Sequence, residues 1–281
     1  MRPRQWAKNV FIAAGLVFSR QLTNISALVN TGLAMIIFSL LASTIYMIND
    51  INDVEADRNH PKKKNRPIAS GALPVKAAKA AVFVLALIVF PSAYLLSPAF
   101  AAVCLLYFLL NLSYSIWIKH IPLMDVLVLA SFYVIRVAAG ITVINIKHFS
   151  PWLYLATTTV ALFMGIGKRR AELVLTQESG STHRKVLDSY TLPFLDQLTS
   201  IVLTLTIMTY SLYTFTATNL PENKVMMITI PFVIYGIFRY LYLVQVEGHG
   251  EAPDEIVLSD RPFQINIILW GMTIMLIFYL N

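Results

Sequence analysis

Residues 31–57 read TGLAMIIFSLLASTIYMINDINDVEAD. The stretch 31–48 carries no charged residue, and crossing a bilayer as a helix takes about 20 mostly apolar residues. It runs straight into Asn49, Asp50, Asp53, Glu55 and Asp57, so an apolar span ends in a row of acids. Comparable apolar runs lie at roughly 9–22, 77–96, 99–118, 121–144, 150–167, 195–216, 226–244 and 263–280. The expected fold is all-α: a polytopic membrane protein of about nine transmembrane helices, forming one integral membrane domain over residues 1–281. Composition agrees. The 281 residues are 57% hydrophobic and 13% charged, with a mean hydropathy of +0.66, whereas soluble domains carry about 25% charged residues. Arg2, Arg4 and Lys8 precede the first run, but no small-x-small cleavage pattern follows, so it reads as a retained helix. The single cysteine, Cys104, excludes an internal disulfide, and the five histidines show no zinc-ligand spacing.

Nine spans place the termini on opposite sides, and the positive-inside rule sets the direction. One side holds only Arg20, Lys147 and Lys224, while Arg136 lies within a span; the rest of the 22 Lys and Arg fall on the other side. The N-terminus is therefore expected in the cytoplasm and the C-terminus outside. Of the 15 acids, only Glu222 sits clearly on the outer face. Acids contribute little to topology, so their gathering at the basic loops points to an active site on the cytoplasmic side.

Asn49, Asp53 and Asp57 are spaced by four, and Asp50 stands three before Asp53. On a helix these side chains share one face. Stacked carboxylates repel, and a divalent cation removes that penalty. Carboxylate and amide oxygens with room for water and phosphate oxygens suit Mg²⁺, which makes Asn49, Asp50, Asp53 and Asp57 the expected metal ligands. The basic loop Arg58–Gly71 follows. Its Lys62, Lys63 and Lys64 read equally as topology signals or anionic-lipid contacts and as part of a phosphate site. Arg66, set before Pro67 and a Ser70-Gly71 turn, is the better phosphate ligand, because a guanidinium fork matches phosphate oxygens. Arg136 follows Asp125 by eleven residues, nearly the same helical face and about 16 Å further along at 1.5 Å per residue. A charge at that depth is a functional candidate by default; the bland reading is a buried structural pair.

NDxxDxxxD followed by Arg66-Pro67-Ile68-Ala69-Ser70-Gly71 resembles the UbiA superfamily of intramembrane prenyltransferases. That resemblance implies a UbiA-like bundle with a Mg²⁺-bound diphosphate over the first motif. The superfamily's usual second DxxxD motif, after the sixth helix, is missing. Here that stretch reads Gly167-Lys168-Arg169-Arg170-Ala171-Glu172-Leu173, then His183-Arg184-Lys185 and Asp188-Ser189-Tyr190-Thr191. Together with Arg2-Pro3-Arg4-Gln5-Trp6-Ala7-Lys8-Asn9, Tyr114…Lys119, Tyr133…Arg136, Arg239-Tyr240 and Pro253-Asp254-Glu255-Ile256…Asp260-Arg261, this departure is similar to the decaprenyl-phosphate phosphoribosyltransferase family. The resemblance implies phosphoribosyl pyrophosphate as donor, a polyprenyl phosphate as acceptor, surrounding membrane lipids, no nucleic-acid partner, and a role in building arabinose-containing cell-wall polymers. Asp50, Asp53 and Asp57 become the catalytic acids. Arg66, Lys119, Lys168, Arg169, Arg184 and Lys185 form the cationic pool for the sugar and lipid phosphates, and Lys8, Asn49, Tyr114, Arg136, Glu172 and Tyr190 join the substrate-binding set.

Two alternatives make different demands. A prenyltransferase using prenyl diphosphate and an aromatic acceptor calls for a second aspartate cluster near 168–190, where only Glu172, Glu178 and Asp188 lie. A transporter or lipid-phosphate binding protein calls for broken mid-membrane helices and inverted repeats, and no repeat is seen.

Overall fold

In a computed structural model, the described residues are 3–59, 63–144, 151–179, 185–217, 220–248 and 253–280, and among them no strand occurs. A 3₁₀ helix, Pro3–Ala13, continues as α1 (Ala14–Phe18). There follow α2 (Ile25–Asn52), α3 (Val54–Arg58), α4 (Val75–Leu96), α5 (Pro98–Ile116), α6 (Met124–Ile141), α7 (Pro151–Ser179), α8 (Leu192–Thr216), α9 (Ile230–Gln245), α10 (Pro253–Ser259) and α11 (Arg261–Leu280). Helix runs through part of each of the nine expected segments, and seven helices among the described residues are long and apolar enough to cross a membrane. The other two fall short for physical reasons. The first apolar helix, Lys8–Phe18, is short and ends before Arg20, whose φ of 57° turns the chain. Helix α7 is long, but Thr157, Thr158 and Thr159 interrupt its apolar run and it continues into Lys168-Arg169-Arg170.

Local chemistry sets the helix ends. Asn24 accepts from the Ala27 N–H (3.3 Å) to start α2, and Thr191 accepts from the Phe194 N–H (3.3 Å) to start α8, each relieving an orphan donor of the first turn. Ser97 breaks α4 from α5 and caps the latter through the Phe100 N–H. Hydroxyls inside the spans bond back to their own helix: Thr31, Ser43 and Thr44 in α2, and Thr199 and Thr206 in α8, each reach the carbonyl four residues earlier. Each of these five hydroxyl protons is thereby satisfied within hydrocarbon.

The chain divides into two compact units, Met1–Ile116 with Ile135–Ile146, and Trp117–Val134 with Lys147–Asn281. In the first unit α2 packs on α4, α5 and the N-terminal 3₁₀ helix, burying Ile12, Phe38 and Leu41. Helix α4 leaves Phe83, Val84, Leu87 and Ile88 exposed, an apolar face suited to lipid. Gly140 is required where it stands: a Cβ there would lie 1.9 Å from the Ile12 carbonyl oxygen. In the second unit α7 packs on α8 around Ile166, Leu173, Leu187 and Leu195. Trp270 and Thr229 share the Tyr210 hydroxyl at 2.8 and 2.7 Å.

Candidate active site

The acid row lies in the first unit. Helix α2 stops at Asn52, and Asp53 (φ −94°, ψ 10°) interrupts before α3. The hydrogen bonding nevertheless keeps its four-residue step, with Asp53 N–H to Asn49 O at 2.9 Å and Asp57 N–H to Asp53 O at 2.8 Å. The stripe therefore survives the interruption, but its members differ in environment: Asp57 is buried, Asp50 half-buried and Asp53 exposed. Arg66 closes the stripe. Its Nη1 donates to Asp57 Oδ2 at 2.5 Å and Asp50 Oδ1 at 3.2 Å. The loop carrying Arg66 is folded back by Arg58 Nε to Ala69 O (3.3 Å) and Ser70 N–H to Arg66 O (2.8 Å). Asn49 Oδ1 accepts from Ser115 Oγ at 2.7 Å, next to Tyr114, which is half-buried on α5.

The same unit encloses Arg136, only 4% exposed. Its Nε donates to Asn9 Oδ1 (3.0 Å) and its Nη2 to the Tyr107 hydroxyl (2.7 Å). The guanidinium also lies over the Phe38 and Tyr107 rings at 5.6 and 5.1 Å, a cation–π setting. Asn9 is itself fixed by Ser39 (2.8 Å). Arg136 thus cross-links the N-terminal helix, α2, α5 and α6. Lys8, beside Asn9, is half-buried.

The second unit carries a buried ionic cluster that the sequence analysis did not assemble. Asp125, fully buried at the start of α6, is ion-paired with Arg169 Nε, and the Arg169 Nη1 pairs with Glu172. The other Asp125 oxygen accepts from the Tyr190 hydroxyl at 2.6 Å, and that hydroxyl accepts from the Leu123 N–H at 2.6 Å. Leu123 adopts φ 66° to present it. Burial, and then the hydrogen bond to Asp125, push the Tyr190 phenol up to about 12. Arg170 bonds Asp196 at 2.6 Å. Lys168 is exposed and Lys119 half-buried. Arg184 and the Lys185 side chain lie outside the described residues.

Residues 9–256 match the UbiA prenyltransferase family. The chain belongs to the UbiA prenyltransferase family. It is 36% identical to the decaprenyl-phosphate phosphoribosyltransferase of Mycobacterium tuberculosis over 280 residues, covering 98% of this chain and 91% of that one. It is 34% identical to the enzyme of the same name from Corynebacterium glutamicum, covering 100% and 86%. Its fold is similar to a solved UbiA homolog from Archaeoglobus fulgidus bound to GPP and Mg²⁺, with a TM-score of 0.73, 18% identity, and 99% and 97% of the two chains covered. This UbiA protein is an integral membrane enzyme, a transferase.

For a UbiA enzyme the acid stripe raises the question of metal. Among the described residues no three His, Cys, Asp or Glu side chains meet as a ready metal cluster. Asp50 and Asp57 do converge, since oxygens from both reach the single Arg66 Nη1. Mg²⁺ at phosphate sites characteristically takes one or two carboxylates and fills its shell with water and substrate oxygens. Two converging carboxylates with the Asn49 amide nearby in sequence therefore fit that ion. The basic stretch after α7's apolar run fits a counter-ion role in part. Arg169, expected to meet phosphate, is wholly buried between Asp125 and Glu172. The signal that could have found this cluster was Asp125 itself, an acid in the first turn of a helical run whose one other charge is Arg136, so it meets the same criterion that singled out Arg136.

Proposed function

We propose that this UbiA enzyme transfers the 5-phosphoribosyl group of phosphoribosyl pyrophosphate to a decaprenyl-like polyprenyl phosphate, releasing pyrophosphate, with Mg²⁺ as cofactor. The observation that carries the reading is the likeness to decaprenyl-phosphate phosphoribosyltransferases. It spans 98% of this chain and so takes in both the acid stripe and the basic stretch. The residues suit the two substrates. Asn49, Asp50, Asp53 and Asp57 would hold the metal, and Arg66 would set the register between Asp50 and Asp57. Its two described bonds run from Nη1, so the rest of the guanidinium fork suits phosphate oxygens. Bound there, Mg²⁺ supplies positive charge to the departing pyrophosphate. Lys168 and Lys119 offer compact cations for the phosphomonoesters.

In the reaction a phosphate oxygen of the lipid forms a bond to ribose C1 as the C1–oxygen bond to pyrophosphate breaks, with inversion. The bonding pair leaves with pyrophosphate. The lipid phosphate is anionic near neutral pH and needs no strong base, so catalysis rests on positioning and charge placement. A metal-bound acidic motif is needed for the one diphosphate; a phosphomonoester nucleophile needs cations only, which accounts for a basic stretch where prenyl-diphosphate enzymes keep a second acidic one. The site would open to the cytoplasm of a bacterial-type plasma membrane, where the sugar phosphate is made.

The test uses purified protein, Mg²⁺, unlabelled donor and polyprenyl phosphate carrying ³²P. The expected result is ³²P in a lipid-soluble phosphoribosyl product and release of unlabelled pyrophosphate. If the protein ignores phosphoribosyl pyrophosphate and instead prenylates an aromatic acid from prenyl diphosphate, the phosphoribosyl assignment is wrong.

A further inference from the structure

In the second unit Gly167 immediately precedes Lys168 and Arg169 on α7. A Cβ at Gly167 would lie 2.3 Å from Pro253 Cγ, 2.8 Å from Pro253 Cδ and 3.3 Å from the Tyr240 hydroxyl. The nearest obstacle is a pyrrolidine ring, whose atoms cannot rotate aside as the tip of a long side chain would. The first turn of α10 thus sits in a notch on α7 that only glycine leaves open. Two further anchors hold α10 there. Ile256, 0% exposed, is buried in a cluster with Leu203, Tyr240 and Leu243. Asp260, just beyond α10, takes Arg239 Nη2 at 2.7 Å and the Phe263 N–H at 2.8 Å, which ties the end of α10 to α9 and to the start of α11. A short helix with three anchors, whose leading proline presses on the residue before the exposed Lys168, constrains where that lysine stands.

We propose that Gly167 and Pro253 form a notch and wedge that position Lys168, at the head of the Lys168–Arg169–Arg170 stretch, for phosphate recognition, making both of them positioning residues. The inference rests on the proposed role of that stretch in binding phosphate. It assigns α10 a task that its composition does not reveal: its Pro253 and Ile256 face inward as a brace, and the helix need not touch substrate to matter.

The experiment compares wild type, Gly167→Ala, Pro253→Gly and the double variant as full-length protein in detergent. The readouts are KM and kcat for phosphoribosyl pyrophosphate and melting temperature. Gly167→Ala should raise KM for the donor at least tenfold. Pro253→Gly, which removes the wedge without adding bulk, should raise KM about threefold at near-normal kcat. The double variant should return to the level of Pro253→Gly, because the ring atoms that clash with the new Cβ are gone. Wild-type KM in both single variants, or a double variant as impaired as Gly167→Ala, overturns the proposal. If Gly167→Ala fails to fold, Pro253→Gly decides the matter by its KM alone. Binding of inorganic phosphate, measured by calorimetry on the same proteins, reads the stretch without any transfer reaction. A wild type inactive with phosphoribosyl pyrophosphate therefore sinks the proposed function, while phosphate affinities that do not differ among the four proteins sink the notch and wedge.

Discussion

Removing the Asp125 carboxylate tests the buried cluster of the second unit quantitatively. Arg169 and Asp125 are both 0% exposed as side chains, so Asp125→Ala leaves a guanidinium without its enclosed partner. Stripping one member from a buried ion pair costs about 3–5 kcal/mol. The Tyr190 hydroxyl loses its acceptor as well, a charged hydrogen bond of roughly 1.5–3 kcal/mol. Glu172 opposes these losses, because it keeps its own ion pair with Arg169 and is 28% exposed. The overlapping terms do not add, and Glu172 argues for the lower end, about 3 kcal/mol. At roughly 2–4 °C per kcal/mol for a large domain, the melting temperature should fall by about 6–12 °C. Scanning fluorimetry in one detergent reads it. Asp125→Leu combined with Arg169→Met removes both charges and should recover most of the loss, since hydrophobic replacement of a buried pair is often neutral. A melting temperature of Asp125→Ala within about 2 °C of wild type, on the same scale, or a double variant no better than the single, would refute the reasoning.

Asp50→Asn and Asp57→Asn should each lower turnover by at least about a hundredfold, on the scale of a lost electrostatic stabiliser, and chelator should abolish wild-type activity until Mg²⁺ is restored; near-normal turnover in both variants would remove the stripe from the mechanism. A reporter fused after Asn281 should be extracytoplasmic and one inserted near Ser179 cytoplasmic, and the opposite pattern would reverse the proposed orientation. The Tyr190 phenol, held at about 12 by burial and Asp125, has a folded pKa above its ordinary value near 10. Its contribution to stability is whole below about pH 10 and is lost as pH rises toward 12, so the alkaline fall in melting temperature should be smaller in Tyr190→Phe, and equal slopes would contradict it.

The helices were legible because lipid imposes a plain demand. A span must be long and nearly uncharged, and seven of the expected segments meet that demand by length and composition. The two that fall short lose it to features the sequence shows only weakly: the turn at Arg20 and the threonine run of α7. The acid stripe was legible for a similar reason, since four-residue spacing is geometry local to one helix, and it survives the break at Asp53. What spacing could not give was the partner of each charge. Arg66 meets Asp50 from sixteen residues away and Asp57 from nine, and Arg169 meets Asp125 from forty-four. Such pairings belong to tertiary packing and leave no period in the chain.

Lys168, Arg169 and Arg170 show how far that gap reaches into function. As a string they are three adjacent cations, and all three suit phosphate. A helix turns about 100° per residue, so consecutive side chains must face different surroundings. Here Lys168 faces outward, Arg169 is sealed against Asp125 and Glu172, and Arg170 bonds Asp196. The charges of Arg169 and Arg170 are therefore balanced by carboxylates of their own unit before any substrate arrives. Burying a guanidinium without such partners would cost several kcal/mol, which is why Arg169 comes with two acids. The consequence is a division of labour within one basic motif: Arg169 holds α6 and the Tyr190 turn to α7, and under the proposed function that rigid seat would position the neighbouring Lys168. A basic run that reads as one phosphate site in the sequence is in the fold a buried structural ion pair with an exposed lysine beside it, and that lysine is the one of the three that the proposed function assigns to phosphate.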